Sequence, residues 1–398
     1  MNKNRLQKKN LKLILVAIFG AVLIILVYLG VPQLLGITYE EGLVKAVVAQ
    51  KTETQVASST AVTHVSTPSK VKGLYMTACV ASTSTWRENL ETLIKNTELN
   101  SVVIDIKDYS GTISFIDPAL QGNDVTGCRV KDMGAFIAEL HRANIYVIGR
   151  VTVFQDPYYA SRYPELAVKS KSTGGIWKDR HGLPFVDVGA KPYWDHVIDI
   201  AKAGYALGFD EINFDYIRYP SDGNMADAHY SWTIGTSTKA QMVKSFFSYL
   251  HDHLKDTGVK TSADLFGLVT VAEDDLGIGQ VLTNTLPYFD FVDPMVYPSH
   301  FATGADGYKV PAAHPYEIVH YSMAEGLKRE EAQKVAEGIA TSTPSKLRPW
   351  LQDFDLLGVP YGVPEVQAQI KATHDVGLTS WLLWDASNRY TPTALQPK

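Results

Sequence analysis

The chain has 398 residues, a formal net charge of −5 and 20% charged residues, so its charge gives no reason to expect a nucleic-acid partner. Hydrophobic residues make up 45%, the balance of an ordinary globular protein. A membrane anchor followed by one large domain fits this length better than several small domains.

The N-terminus predicts a transmembrane anchor. Five basic residues within positions 1–12 precede an uncharged, mostly apolar run over 13–29, and the apolar character continues to Ile37. Such a run is long enough to span a bilayer, and the basic flank before it places the N-terminus in the cytoplasm. A cleavable signal peptide is the alternative, although its apolar core is normally shorter and no small-x-small site directly follows this run.

Four segments follow from this pattern: a cytoplasmic tail over 1–12, a transmembrane signal anchor over 13–37, a flexible linker over 38–70 and a large domain over 71–398. The linker is inferred from a stretch rich in Ser, Thr and Val without a clear period. The chain is thus expected to be a single-pass protein of the cell membrane with its large domain outside the cytoplasm. There, Cys79 and Cys128 can pair, although two free thiols fit the sequence equally well.

From Val71 onward, short apolar runs alternate with segments of helical period, which indicates parallel strands with crossover helices. Eight strands are predicted, over 73–77, 102–106, 146–153, 211–214, 261–265, 291–296, 347–351 and 380–383. Helices are predicted over 86–97, 133–143, 191–207, 239–255, 278–286, 315–325 and 363–374. This order predicts an α/β fold, the (β/α)8 TIM barrel. A doubly wound open sheet is the rival, but it usually carries a glycine-rich phosphate turn after its first strand, and none is present here.

The stretch 208–220 is the most informative in the domain, because it predicts a buried strand that ends in an acid. If Ile212 and Phe214 face the helices, Asp215 faces the lumen, since side chains alternate along a strand. The carboxyl end of a barrel strand is where barrel enzymes keep catalytic groups. A cation such as Arg218 nearby favours the ionised carboxylate, which suits a nucleophile or base. The alternative role of a strand-end Asp is to cap the following helix.

A second carboxyl group is predicted beside the first. Glycoside hydrolysis needs two carboxyl groups that flank the scissile bond, about 5–5.5 Å apart for retention and about 6.5–9.5 Å for inversion. Asp264 lies in predicted strand five, the neighbour of strand four, among apolar residues that would raise its pKa. We therefore expect Asp215 and Asp264 to be the catalytic pair, with Asp264 as the general acid.

Polar and aromatic residues at other strand ends complete the predicted site. Arg150 ends the apolar run 146–149 of strand three and either orients a carboxylate or forms a core ion pair. A Ser-His-Asp triad around His300 is a weaker interpretation, because no Gly-x-Ser-x-Gly elbow is present. No Cys/His spacing resembles a zinc site, so no metal or cofactor is predicted. The predicted substrate-binding residues are Asp105, Arg150, Arg218, Tyr297, His300, Trp350, Gln352, Asp353, Trp384 and Asp385. Capping by the acids and core packing by the Trp residues are the alternatives.

As a set, these motifs resemble a family of TIM barrels of unknown function that is classed with the glycoside hydrolases and related to the α-amylase-like glycosidases. The matching phrases run in order along nearly the whole domain and include 103–108, 149–156, 208–220, 293–300 and 381–384. The resemblance implies a carbohydrate-active barrel. It does not imply a particular sugar.

Carried over by position, the resemblance places the nucleophile of the amylase-like enzymes, at the end of strand four, on Asp215. Their acid on strand five is a Glu, where this chain offers the shorter Asp264, and their third acid after strand seven corresponds to Asp353. The Arg two residues before their nucleophile is replaced by Asn213. The Asn that commonly follows the Trp of strand eight in the family is Asp385 here.

The sequence therefore predicts a membrane-anchored extracytoplasmic glycoside hydrolase that acts on a cell-envelope or environmental polysaccharide. Its oligomeric state is left open. A non-catalytic carbohydrate-binding barrel in envelope assembly is the alternative. Metal-dependent chemistry on the same polymers, such as deacetylation, is a third hypothesis, which the lack of a clear His/Asp ligand set disfavours.

Overall fold

The structure is a computed structural model that describes residues 62–120, 127–233, 237–356 and 358–398. Eight parallel strands, each paired with its neighbours in chain order, close into a barrel. They are β1 Lys72–Met76, β2 Ser101–Lys107, β3 Tyr146–Thr152, β4 Glu211–Asp215, β5 Lys260–Phe266, β6 Phe291–Met295, β7 Trp350–Gln352 and β8 Trp381–Trp384. All eight overlap the predicted strands, so the TIM-barrel prediction is confirmed.

The predicted tail and transmembrane anchor lie outside the described residues. Within the ranges that the structure describes, no helix is both long enough and apolar enough to cross a membrane. The end of the predicted linker is described, and it contacts the barrel. The Val65 backbone N–H donates to Asp210 Oδ1 at 2.7 Å, and the hydroxyls of Thr67 and Tyr146 lie 3.1 Å apart.

The described helices are α1 Ala78–Ala81, α2 Ser84–Asn96, α3 Met133–Arg142, α4 Pro157–Arg162, α5 Lys191–Leu207, α6 Lys239–Leu254, α7 Leu282–Thr285, α8 Pro315–Ala336 and α9 Val363–Asp375. Local sequence explains several ends: Gly208 terminates α5 in the left-handed region, and Thr238 and Gln241 form a capping box at α6. The helix predicted over 278–286 is reduced to α7, because Gly279 adopts a left-handed φ of 87°. The helix predicted over 315–325 continues instead to Ala336.

Side-chain alternation along β4 follows the prediction. Ile212 and Phe214 join the apolar core between the strands and the helices, whereas Asn213 and Asp215 face the lumen, where they contact side chains of other strands. The alternation thus delivers Asp215 to the carboxyl end of the barrel.

Two features of the fold were not predicted, and a third settles an open alternative. Strand β7 is short, because Pro349 has no N–H for a ladder and Leu347 makes only an isolated bridge to Val292. A two-stranded antiparallel sheet, Lys169–Ser170 with Ala228–His229, joins the loops after β3 and β4. Finally, a disulfide bond joins Cys79, after β1, to Cys128, after β2, and settles the alternative that the sequence left open.

Candidate active site

The carboxyl ends of the strands surround a cavity of about 370 Å³. Its wall is formed by Arg150, Asp215, Tyr216, Arg218, Phe266, Gly267, Leu268, Met295, Tyr297, His300, Phe301 and Trp384. Of these lining residues, Asp215 alone carries a carboxylate. A concave, largely aromatic surface with a few converging polar groups is the usual form of a small-ligand site in a barrel.

Arg150 on β3 holds two carboxylates at the cavity floor. Its Nη1 donates to Asp105 Oδ1 at 2.8 Å, and its Nε donates to Asp215 Oδ2 at 3.2 Å, with a further bond from Nη2 to the same oxygen. The Tyr75 hydroxyl donates to the other oxygen of Asp105 at 2.6 Å. Because the guanidinium is a rigid planar fork, these bonds fix the orientation of Asp215 as well as its charge environment.

The backbone after Asp215 is held in an uncommon conformation. Tyr216 has a φ of 53°, in the left-handed region that costs a non-glycine residue roughly 1–3 kcal/mol. In this turn the Tyr216 N–H donates to Asp215 Oδ1 at 2.5 Å. Both carboxylate oxygens of Asp215 therefore accept hydrogen bonds, and the Tyr216 ring becomes part of the cavity wall.

Asp264 on β5 lies behind the cavity wall. Its Oδ1 accepts hydrogen bonds from Trp350 Nε1 at 2.7 Å and from Asn213 Nδ2 at 2.8 Å, and the residue is 1% exposed. Burial raises the pKa of Asp264 well above its ordinary value, and the charges of Asp215 and Asp293 raise it further. Asp264 is thereby kept protonated over a wider pH range than a solvent-exposed Asp.

The two predicted catalytic acids lie close together. Asp215 Oδ2 is 3.2 Å and Asp264 Oδ2 is 3.9 Å from the same atom, Nε of Arg150, so these two oxygens are at most about 7.1 Å apart. This upper bound admits the separation of a retaining glycosidase and the lower part of the inverting range.

Aromatic rings form one side of the cavity. Trp384 stacks on Tyr75 with ring centroids 4.0 Å apart, and the Arg150 guanidinium lies 5.2 Å from the Trp384 ring centroid. Trp350 meets Trp384 edge-on from behind and is fully buried. Trp384 is therefore the indole that a ligand in the cavity can touch.

Tyr297 and His300, which follow β6, also line the cavity. Burial raises the pKa of Tyr297 well above its ordinary value, and the charges of Asp264 and Asp215 add to the shift, so its phenol stays protonated. The Tyr297 hydroxyl makes no hydrogen bond within the described ranges. Burial lowers the pKa of His300, whose Nδ1 lies 3.1 Å from Ser299 Oγ, so the ring is neutral at neutral pH.

A comparison with protein families decides what kind of domain this is. Residues 73–390 match the family model described as "Putative glycosyl hydrolase domain". The chain belongs to this family. Its barrel is accordingly a glycosidase domain, in agreement with the resemblance carried by the motifs. No curated protein matches the chain.

Several solved structures resemble the chain. A hypothetical protein from Ruminiclostridium thermocellum is 32% identical over 52% of this chain and 98% of its own, with a TM-score of 0.43. The PgaB (BpsB) glycoside hydrolase domain of Bordetella bronchiseptica is 14% identical, covers 81% of this chain and 95% of its own, and has a TM-score of 0.57. Alpha-L-fucosidase isoenzyme 2 of Paenibacillus thiaminolyticus is 12% identical over 82% of this chain and 47% of its own, with a TM-score of 0.50. The likeness to the last two shows the barrel fold alone.

Half of the twelve site residues that the sequence predicts line the cavity: Arg150, Asp215, Arg218, Tyr297, His300 and Trp384. The other half do not: Asp105, Asp264, Trp350, Gln352, Asp353 and Asp385. Three of these residues lie immediately behind the wall. Asp105 accepts a hydrogen bond from Arg150 of the wall, and Trp350 donates to Asp264 and packs against Trp384 of the wall.

The remaining three bond to protein groups instead. Asp353 accepts from the Thr391 backbone N–H and hydroxyl, and Asp385 accepts from two N–H groups of the turn that follows it. Gln352 Oε1 accepts from Ser299 N and Oγ. For Asp353 and Asp385 the structure thus shows loop and turn capping, the alternative that was weighed against substrate contact.

Several residues of the wall were not predicted. Strand alternation could have identified Phe266, which lies two residues after Asp264, and also Tyr75, which supports the wall by stacking on Trp384 and lies two residues after Gly73. The left-handed turn at Tyr216 has no sequence signal, because Tyr rarely adopts it. Within the described ranges, no group of three or more His, Cys, Asp and Glu side chains is arranged to hold a metal ion.

Proposed function

We propose that this domain hydrolyses a polysaccharide in the cavity, with Asp215 as the nucleophile or general base. The observation that carries the proposal is the setting of Asp215. It is the carboxylate on the wall, and Arg150 and the strained Tyr216 backbone hold both of its oxygens. Fixed donors around one carboxylate at a barrel's carboxyl end provide the preorganisation that glycoside hydrolysis needs.

Asp264 is the proposed source of the leaving-group proton. Its raised pKa suits a general acid, and it lies within about 7.1 Å of Asp215, the range that such pairs occupy. Because Asp264 does not line the cavity and has no hydrogen bond to Tyr297 within the described ranges, delivery of its proton requires a Tyr297–Asp264 hydrogen bond that forms when the substrate binds. The Tyr297 phenol lines the cavity and interacts electrostatically with both acids. Through that bond Asp264 protonates the phenol oxygen as the phenolic proton passes to the leaving oxygen, which leaves Asp264 as the carboxylate and Tyr297 as the neutral phenol.

Trp384 and His300 are proposed to bind the sugar rings. A flat indole supported by Tyr75 offers a face for the C–H surface of a pyranose. A neutral His300 can both donate and accept hydrogen bonds from hydroxyl groups.

The proposed place of action is outside the cytoplasm, at the cell membrane, on envelope or environmental polysaccharide. Two observations support it. The sequence begins with a basic flank and an apolar run of membrane-spanning length. The disulfide between Cys79 and Cys128 is a bond that persists in oxidising compartments.

The test is reducing-end release by the full-length chain in detergent or nanodiscs, on α- and β-linked polysaccharides and isolated cell wall. Release by the wild-type chain that falls more than about 10³-fold in Asp215→Asn supports the proposal. Release that survives Asp215→Asn places the chemistry elsewhere. Release abolished by a chelator favours metal-dependent chemistry instead.

The role of Asp264 has its own test. In Asp264→Asn and Tyr297→Phe, hydrolysis of the natural polymer should fall about 10²-fold or more. Aryl glycosides of the same sugar with a good leaving group should be much less affected, because they do not need protonation. An equal loss on both substrates would contradict the proton-donor role.

A non-catalytic carbohydrate-binding barrel is the second candidate. It is favoured by the fact that Asp264 is shielded from the cavity by its neighbours, so one carboxylate alone reaches the wall. This candidate requires polymer binding that is unchanged in Asp215→Asn, with no bond cleavage by the wild-type chain.

A further inference from the structure

The cavity holds a second arginine, and its environment differs from that of Arg150. Arg218 is 7% exposed and lines the same wall as Asp215. Its Nη1 donates to the backbone carbonyl of Tyr219 at 3.0 Å, and no other hydrogen bond of the guanidinium is found within the described residues. A guanidinium carries five N–H donors, so most of the donors of Arg218 remain available to a ligand.

The counter-ion that a buried arginine normally has is missing here. Within the described ranges, no Asp or Glu oxygen lies within 4.0 Å of a nitrogen of Arg218. By contrast, nitrogens of Arg150 lie within this distance of carboxylate oxygens of three acids, Asp105, Asp215 and Asp264. Burial lowers the pKa of Arg218, and the surrounding acids, with Asp215 and Asp222 among them, only partly offset this effect. A nearly buried cation without a paired anion is costly.

Two aromatic rings hold this cation in place. The Arg218 guanidinium carbon lies 4.9 Å from the Tyr216 ring centroid and 4.7 Å from that of Phe266. Both rings also line the cavity. Stacking on ring faces leaves the edge of the guanidinium, where the N–H groups are, free to meet a planar or tetrahedral oxyanion in the plane of the fork.

We propose that Arg218 binds an oxyanion of the substrate, so that the polymer this cavity accepts is acidic: a chain of sugars that carry carboxylate or phosphate groups. The inference rests on the proposed function and names the substrate class for the same cavity. It also gives a role to the Arg that follows the strand-four acid in this chain. Arg150 is committed to Asp105 and Asp215, so Arg218 is the cation of the wall that a substrate anion can pair with.

The anionic group binds beside the reacting carbons rather than on them. Arg218 makes no hydrogen bond to Asp215, and no nitrogen of Arg218 lies within 4.0 Å of an Asp215 carboxylate oxygen. Recognition by Arg218 therefore acts on substrate binding: loss of the side chain should raise KM and leave kcat little changed. This KM effect separates it from Asp215, whose loss should lower kcat.

The experiment measures binding of paired polymers by isothermal titration to the full-length chain. One arm pairs polygalacturonate and hyaluronan with their carboxyl-reduced forms, and the other pairs phosphate-bearing wall polymer with the same polymer stripped of phosphodiesters by hydrofluoric acid. The two arms distinguish a carboxylate from a phosphate as the ligand group. In at least one pair, the wild-type chain should bind the anionic member about 10- to 100-fold more tightly.

The variants assign the preference to one side chain. Arg218→Met should abolish it while leaving affinity for the neutral member within about twofold. Arg218→Lys, which keeps the charge and loses the planar fork, should retain part of it. Arg142→Met, which removes an exposed arginine on α3, is the matched control and should change nothing. If Arg218→Met does not fold, loss of the wild-type preference on raising salt from 0.15 to 0.5 M, together with the Lys variant, decides the question.

The outcomes separate the two proposals. Equal binding of both members in every pair, absence of binding to every anionic polymer, or an equal loss on both members in Arg218→Met overturns the role of Arg218. Hydrolysis of neutral polymers without an acidic preference upholds the proposed function and refutes this inference. A preference that depends on Arg218, without release of reducing ends from any polymer, upholds the inference and refutes hydrolysis.

Discussion

The barrel lumen contains two arginines that each lie between two carboxylates, one at either end of the strands. At the amino end, Arg348 contacts Glu211 at 2.6 Å and Asp293 at 2.7 Å, and all three side chains are 0% exposed. At the carboxyl end, Arg150 contacts Asp105 and Asp215, and the Arg150 and Asp215 side chains are each 6% exposed. We call these the sealed cluster and the open cluster.

The comparison shows that access, rather than composition, separates a structural ion cluster from a reactive one. The sealed cluster is completed inside the protein, with Ser262 and Tyr146 donating to Glu211 and Asn213 donating to Asp293. The open cluster has the same chemistry, but its Asp215 forms part of a cavity wall. Substitutions in the sealed cluster should therefore affect folding, and substitutions in the open cluster should affect turnover.

The largest effect on stability is expected from the sealed cluster. Arg348→Met leaves two buried carboxylates without a cation and should lower the free energy of unfolding by about 3–5 kcal/mol. Arg150→Met should cost less, because water in the cavity can solvate Asp215, yet it should remove most activity. Urea denaturation and reducing-end release measure the two effects. Equal loss of stability in both variants would end the distinction between the clusters.

The rim around the open cluster is joined by the disulfide between Cys79 and Cys128, 49 residues apart in sequence. Replacing both cysteines with Ala should lower the unfolding free energy by up to about 4 kcal/mol, from the chain-entropy estimate for a loop of this length. Urea denaturation of the wild-type chain with and without a reductant is the matched measurement. An unfolding midpoint that does not respond to reductant would contradict the bond.

Strand β8 carries two Trp residues on opposite faces: Trp384 lines the cavity and Trp381 is buried in the core. Substituting each in turn tests whether the cavity-lining indole binds sugar. Trp384→Ala should raise KM about 10-fold, because the indole is the proposed platform for a sugar ring. Trp381→Ala, on the fully buried face of β8, should instead lower stability and leave KM unchanged. Steady-state kinetics measure KM, and thermal unfolding measures the stability of both variants. A KM that rises equally in both would argue against stacking on Trp384.

A smaller effect is expected in the dependence of stability on pH. Burial raises the pKa of Asp264 in the folded protein above its unfolded value of about 3.9, so the folded state holds this proton to a higher pH. Stability from this group is fully present below pH of about 3.9 and falls as pH rises to the folded pKa. Relative to Asp264→Asn, the wild-type chain should therefore lose stability as pH increases over that window. A difference between the two proteins that is independent of pH would contradict the raised pKa.

The sequence was sufficient to predict the barrel and the open cluster's key side chains. Short apolar runs separated by segments of helical period revealed all eight strands, and alternation from Ile212 placed Asp215 in the lumen. Arg150 and Trp384 were found in the same way, since both lie near the carboxyl end of a predicted strand. These predictions depend on local periodicity, which one sequence contains.

The parts that sequence could not supply depend on contacts between distant segments. Asp264 and Asp215 have equivalent strand positions, but Trp350, 86 residues away, bonds to Asp264 and only the structure shows that it is shielded. The sealed cluster joins Arg348 to Glu211 across 137 residues. Periodicity carries no record of such pairings, so the sequence presented Asp353 and Asp385 as substrate-binding candidates, and only the structure shows the capping bonds that occupy them.

Asp215 is the proposed catalytic carboxylate of the open cluster, and Asp105, which is bound to the same arginine, supplies the control. The measurement is kcat of Asp215→Asn and Asp105→Asn on the polymer that the wild-type chain cleaves, with the unfolding free energy of each. We expect kcat to fall more than about 10³-fold in Asp215→Asn and no more than about 10-fold in Asp105→Asn, with both proteins folded. Turnover by Asp215→Asn within 10-fold of wild type, or an equal loss in both variants, would contradict this expectation.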